Sequence, residues 1–113
     1  MKLIIAYIKP EQLTSVKQEL FKNNVHRMSV TNALGCGRQK GYTENYRGTE
    51  IEVNLLKKVR LEIAVTEEFL DLTVKSIIKG AKLGKFGDGK IFIMEMLDCI
   101  RIRTEESGDE AIG

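Results

Sequence analysis

The chain has 113 residues, 42% hydrophobic and 30% charged, the proportions of a globular protein with one hydrophobic core. Eighteen basic against 16 acidic residues give a net charge of +2. That is too little for a general nucleic-acid or membrane field, so any anion site must come from local clustering. The apolar run near the N-terminus, Leu3–Ile8, is too short for a membrane span and is followed by no small-residue cleavage pattern. Cys36 and Cys99 lie outside any Cys-x-x-Cys pair and His26 is the only histidine. Two thiols in a reducing cytoplasm are therefore expected, and a zinc cluster is not.

Residues 2–9 are mostly β-branched or apolar and read as a buried strand. Pro10 suits a first helical turn, and Leu13, Val16, Leu20 and Phe21 follow at helical spacing, predicting a helix over about 10–23. From Val25 the period changes to two, so a second strand is expected up to about Gly35. Residues 35–50 carry four glycines, two tyrosines and mixed charge with no apolar period. Connections this long inside a small domain are usually functional or disordered, and strand signals on both sides predict a long hairpin excursion projecting from the body. Ile51, Val53 and Leu55, then Val59, Leu61, Ile63 and Val65, predict one strand over 51–65.

Thr66 is a candidate cap for a second helix, with Glu67 and Glu68 in its first turn. Its expected stripe is Leu70, Val74, Ile77, Ile78 and Ala81, with Gly84 at the stop. A glycine-rich loop, 84–90, leads to a last apolar strand at about 91–97. Ile100 and Ile102 then alternate with Arg101 and Arg103, which reads as a strand with both guanidiniums on one face. Residues 104–113 read as a loose acidic tail. The order β-α-β-β-α-β predicts an α+β, ferredoxin-like double βαβ fold with an antiparallel sheet. Helices would cover one face only, so the other face calls for partner copies.

Basic residues and glycines coincide three times: Arg38 and Lys40 among Gly35, Gly37 and Gly41; Lys85 and Lys90 among Gly84, Gly87 and Gly89; and Arg101 with Arg103. Glycine lets backbone N–H groups approach an anion, and cations add charge-assisted bonds, so the pattern suggests a polyphosphate site, the alternative that composition alone favours being a solvated basic surface. The spacing Gly84-x-x-x-x-Gly89-Lys90 matches a Walker A loop, but Ile91 stands where Ser or Thr would hold magnesium, and the order is helix–loop–strand. A P-loop phosphotransferase is excluded. Asp88 either meets a ligand or stabilises its own turn. No catalytic triad or acid–base pair is evident.

With these residues in place, the chain resembles the PII signal-transduction family. Gly35-Cys-Gly-Arg-Gln-Lys-Gly-Tyr-Thr-Glu-Asn-Tyr-Arg-Gly48 is similar to the family's T-loop signature, and Lys57-Lys-Val-Arg-Leu-Glu-Ile63 to the strand after it. Leu83-Gly-Lys-Phe-Gly-Asp-Gly-Lys-Ile-Phe92 resembles the B-loop, and Ile100-Arg-Ile-Arg-Thr-Glu-Glu106 the C-loop. The resemblance spans nearly the whole chain and implies one domain over 1–113, with T-loop 37–55, B-loop 82–90 and C-terminal tail 104–113.

The resemblance further implies a cytoplasmic, non-enzymatic homotrimer that binds ATP or ADP in clefts between subunits. Gly35, Gly37, Arg38, Gln39, Gly87, Asp88, Gly89 and Lys90 would cradle the nucleotide from one subunit. Arg101 and Arg103 would reach the phosphates from the neighbour, with Ser29 and Ala64 flanking the adenine. Magnesium on ATP would be ligated by Gln39 and joined by 2-oxoglutarate, bound through Gln39, Gly41 and Lys58. The T-loop, with Tyr46 and Arg47, would be read by a partner such as an ammonium transporter or a nitrogen-assimilation enzyme. Nucleic acid is not an implied partner, and nor is direct insertion into a membrane. Ile51 stands where many members carry a modifiable tyrosine, so that modification is not expected here. Cys36 lies close to the expected dicarboxylate. Two other classes are a weak ATP hydrolase and an RNA-binding module on the same fold. The latter would need paired aromatics on the central strands, which Val59–Val65 lacks.

Overall fold

Strand β1 (Lys2–Ile8) forms the axis of the sheet, because it is hydrogen-bonded along both edges. A computed structural model describes residues 1–36, 42–46, 49–53, 55–85 and 87–113, with backbone alone for 42–46 and 49–53. A 3-10 turn at Pro10–Gln12 leads into α1 (Leu13–Lys22), then β2 (Ser29–Gly35). Strands β3 (Tyr42–Tyr46) and β4 (Thr49–Val53) form a separate two-stranded antiparallel ribbon, Tyr42 opposite Val53. Then come β5 (Leu56–Val65), α2 (Glu67–Ala81), β6 (Lys90–Glu95) and the one-turn α3 (Asp109–Ile112).

The main sheet runs β2-β5-β1-β6, every neighbour antiparallel, which is the ferredoxin-like arrangement. Alternation along the strands decides which face is dry. Ile4, Ala6 and Ile8 of β1 and Val59, Leu61, Ile63 and Val65 of β5 point towards the helices and are buried with Val16, Leu20 and Ile77. The opposite face presents Leu3, Ile5 and Tyr7 beside Arg60, Glu62 and Ala64, and Phe92 and Met94 beyond them. Phe92 stands edge-on to Tyr7, their ring centres 6.2 Å apart.

Several boundaries differ from the sequence reading, each for a local reason. Pro10 opens a 3-10 turn, and α1 proper starts at Leu13. Strand β2 starts at Ser29 because Asn24 takes a positive φ and the 23–25 amides bond back to Leu20 and Phe21. The expected strand 51–65 is two strands with different partners, β4 on β3 and β5 in the main sheet. Thr66 holds the N-cap position of α2 with its carbonyl, which accepts the Phe69 amide, and its hydroxyl makes no capping bond.

The buried side of α2 is also rotated from the expected stripe. Thr73, Ser76, Ile77, Gly80 and Ala81 are buried, Leu70 and Val74 partly so, and Ile78 is exposed. The Thr73 and Ser76 hydroxyls donate to carbonyls one turn back, at Phe69 and Leu72, so small polar residues can face α1 satisfied. Asn23 adds a cross-helix bond to the Ser76 hydroxyl at 2.8 Å. His26 rests against the Phe21 ring. Both cysteines are free thiols.

The last segment departs most. Residues 100–107 form a turn closed by an Ile100–Ser107 bridge, with Glu105 at positive φ, so Arg101 and Arg103 do not share one strand face. The tail 109–112 is helical, with Ala111 buried.

Gly80 sets the distance between the helices, because a Cβ there would lie 2.6 Å from the Val16 Cα. Gly80→Ala must push α1 and α2 apart, and a loss of about 1–3 kcal/mol in urea unfolding is expected.

Candidate functional site

Two groups of the residues singled out by sequence lie at opposite ends of the sheet. The first group gathers where β2 ends, β5 begins and the 82–90 loop enters β6. Ala33 pairs with Lys58 across β2 and β5, and the Lys58 stem packs over Gly35, where an added Cβ would meet it at 3.1 Å. The Lys58 ammonium then donates to the Gly87 carbonyl at 2.9 Å. One lysine thus ties Gly35 to the glycine-rich loop.

The loop is shaped from within. Asp88 Oδ2 accepts the amides of Leu83, Gly84 and Lys85 at 2.8, 2.8 and 3.2 Å. The Leu83 amide, helped by those of Lys85 and Gly84 and the nearby Lys9 charge, holds the Asp88 carboxyl below its ordinary range. Its other oxygen, Oδ1, is buried, has no hydrogen-bond partner among the described residues and lies 3.7 Å from the Lys9 ammonium. Asp88 therefore stabilises the turn, one of the two roles left open by sequence. Gly87 and Gly89 have φ of 87° and 113°, a region L-residues rarely adopt. At Gly89 a Cβ would also overlap the Tyr7 carbonyl oxygen, so the loop lies directly on β1 before Lys90 pairs with Tyr7. Behind the loop is a cleft of about 380 Å³ with mainly aliphatic walls from Ile8, Val74, Ile77, Ile78 and Ile91.

Ser29, Ala64 and Arg101 form the second group. Ser29 pairs with Glu62, two positions from Ala64. Ala64 lines a cleft of about 360 Å³ with Val25, Arg27, Phe69 and Ile112. Arg101 bonds the carbonyls of Glu110 and Ala111 in α3, next to Ile112. Six residue steps along β5 separate Lys58 from Ala64, about 20 Å at 3.3 Å per step. Within one chain the two groups therefore cannot meet on one small ligand. Arg103 is exposed in the turn beyond Arg101.

Gly37, Arg38, Gln39, Gly41 and Arg47 lie outside the described residues, and Tyr46 is described in backbone alone. The expected T-loop boundaries 37–55 include these positions. Among the described residues no group of three His, Cys, Asp or Glu could hold a metal, and no helix is long and apolar enough to cross a membrane. Strand β5, where an RNA-binding module needs an aromatic, carries none.

Three participants were not singled out by sequence. Lys9 had no visible partner until the loop folded over it. The Tyr7 carbonyl is a backbone group and leaves no sequence signal. Helix α3 had a weak signal, the apolar pair Ala111-Ile112 inside a polar tail.

The family described as "Nitrogen regulatory protein P-II" matches residues 1–106. Nitrogen regulatory protein GlnK1 of Methanosarcina mazei is 51% identical over 114 residues, which cover 99% of this chain and 97% of that protein. Nitrogen regulatory protein P-II 2 of Methanothermobacter thermautotrophicus is 47% identical over 99% of this chain and 97% of its own length. Nitrogen regulatory protein P-II 1 of Escherichia coli K12 is 48% identical over 99% of this chain and all of its own.

Two substitutions check the loop. Gly89→Ala combines a disfavoured φ with a backbone overlap and should cost about 2–5 kcal/mol in urea unfolding. Asp88→Asn should destabilise the protein at neutral pH. The folded-state pKa of Asp88 is depressed, so its contribution is complete above the ordinary carboxyl value of about 3.9 and fades as pH falls through the lowered one. Wild type and Asp88→Asn should thus converge in melting temperature only in that acid range.

Proposed function

Since this chain belongs to the nitrogen regulatory P-II family, whose members are regulators and not enzymes, we propose that it senses adenine nucleotides and 2-oxoglutarate and reports them to a partner through the segment between β2 and β5. In this reading residues 1–113 are one domain, with a T-loop at 37–55, a B-loop at 82–90 and a C-terminal tail at 104–113. ATP or ADP binds between subunits of a cytoplasmic homotrimer. The observation that carries it is the separation described above: Gly35, Lys58 and Gly87–Lys90 at one end of the sheet, Ser29, Ala64 and Arg101 at the other. A ligand that needs both sets has to bridge two copies, the first end of one against the second end of the next. The uncovered sheet face supports the same assembly, because Leu3, Ile5, Phe92 and Met94 need cover that no helix among the described residues supplies.

On one side of the cleft, positive-φ glycines bring the 87–89 backbone close to the phosphates while Lys90 and Arg38 supply charge. From the other side Arg101 and Arg103 complete the charge balance, and Ser29 and Ala64 border the base. Magnesium arrives with ATP and is ligated by Gln39. Lys58 pairs with the distal carboxylate of 2-oxoglutarate, and Gln39 and Gly41 hold the rest of that acid. Engaging that carboxylate draws the Lys58 ammonium from the Gly87 carbonyl, so the dicarboxylate and the 82–90 loop are linked through one side chain. A ligand shifts the T-loop only by its differential affinity for the loop's conformers, so ATP with 2-oxoglutarate and ADP favour different forms. Tyr46 and Arg47 lie in the segment that the partner, an ammonium transporter or a nitrogen-metabolism enzyme, would read.

Titration calorimetry of the purified protein tests this reading. ATP and ADP should bind, and Lys90→Ala or Arg101→Ala should weaken binding about 10- to 100-fold, the loss of one charge-assisted contact. Lys58→Met should abolish the 2-oxoglutarate response in the presence of ATP and magnesium while ATP still binds. A wild-type protein that bound neither nucleotide would overturn the assignment.

A further inference from the structure

Arg101 is already occupied. Its guanidinium donates to the carbonyls of Glu110 and Ala111 at 3.2 and 3.4 Å and lies 3.5 Å from the Glu106 carboxylate. Its backbone joins in, with the Arg101 amide donating to the Glu106 carbonyl at 2.9 Å and its carbonyl accepting from Glu105 at 2.8 Å. The segment on the receiving side is α3, anchored by buried Ala111. Ile112, next along α3, walls the cleft that Ala64 also lines. One turn of helix therefore engages the guanidinium and borders the base-side alanine that the proposed nucleotide would use.

We infer that α3 is an internal competitor for that nucleotide: docked, its carbonyls hold Nη2 of the Arg101 guanidinium, and a ligand that takes that nitrogen has to displace them. The inference rests on the nucleotide reading above and adds a regulation of the same site. The exchange is feasible on chemical grounds, since a guanidinium bonds more strongly to an anionic phosphate oxygen than to a neutral carbonyl. It is also reciprocal. A protein whose competent form is only a fraction of the population binds with affinity reduced by that fraction, and ligand shifts the same equilibrium towards undocked α3. The buried face of α3 around Ala111 is then exposed to a partner only when nucleotide is bound.

The test compares the wild type with a chain ending at Gly108 and with Ala111→Asp, which puts a charge into the α3 contact. Both variants should melt as folded proteins and bind ATP about tenfold more tightly than wild type in calorimetry. In the wild type, hydrogen exchange at the Ala111 and Gly113 amides, which are bonded to Gly108 and Asp109, should accelerate on saturation with ATP. If the truncation fails to fold, Ala111→Asp and the wild-type exchange experiment decide. Variants that bind ATP no more tightly than wild type, or α3 protection unchanged by ATP, overturn the competitor role and leave the nucleotide reading standing. A wild type that binds no ATP removes both, and the two failures are thereby distinguished.

Discussion

Strand β1 has one row of backbone groups for each neighbour, and almost every later feature takes its position from them. Its pairing with β5 sets Tyr7 opposite Arg60, and its pairing with β6 sets Tyr7 opposite Lys90. A slip of one residue in either ladder would turn every side chain to the wrong face, so burial of Ile4, Ala6 and Ile8 locks the register. Tyr7 is also where the glycine-rich loop touches down, its carbonyl leaving room only for Gly89. The loop is thus indexed to the sheet at one end, shaped inside by Asp88, and tied by Lys58 to β5. Position, shape and attachment of the loop each depend on a different contact: Gly89 on β1, Asp88 within the loop and Lys58 on β5.

This organisation makes the chain polar. One end of the sheet carries Gly35, Lys58 and Gly87–Lys90, and the other carries Ser29, Ala64 and Arg101. The helical layer between them is closely packed, with Gly80 against the Val16 backbone and polar groups satisfied within the helix pair. Such a layer has little room to adjust. Two copies laid end against end would couple the loop of one directly to the turn of the next.

The sequence carried the sheet and both long helices in its periodicity, because hydrophobic alternation in β5 and Val16 and Leu20 in the stripe of α1 record burial directly. Phe21 of that stripe is exposed, and β1 is apolar on both faces. The helix-facing stripe of α2 was misread because its contact with α1 uses Thr73, Ser76 and Gly80, residues that no hydrophobicity pattern marks as buried. The division between β4 and β5 was hidden because both strands alternate in phase, and only their partners differ. Arg101 and Arg103 looked like a strand for the same reason, since alternation does not reveal a turn closed by the Ile100–Ser107 bridge. At the candidate site the glycines and cations were legible as a composition. Their separation into two ends was not, because distance along the sheet depends on pairing, and Lys9, the Tyr7 carbonyl and α3 acquire meaning only through long-range contacts.

On the uncovered face, Arg60 and Glu62 stand two positions apart on one strand, 2.8 Å between guanidinium and carboxylate and beside the Tyr7 phenol. Each charge thus brings its own counterion to any surface that closes over them. An arriving subunit need offer only shape and hydrocarbon there, since a pair already neutralised and hydrogen-bonded can be dried without stranding a lone ion. The same economy makes the two residues a matched set: losing one would weigh little on a solvated subunit, but would leave its mate uncompensated at the centre of an oligomer.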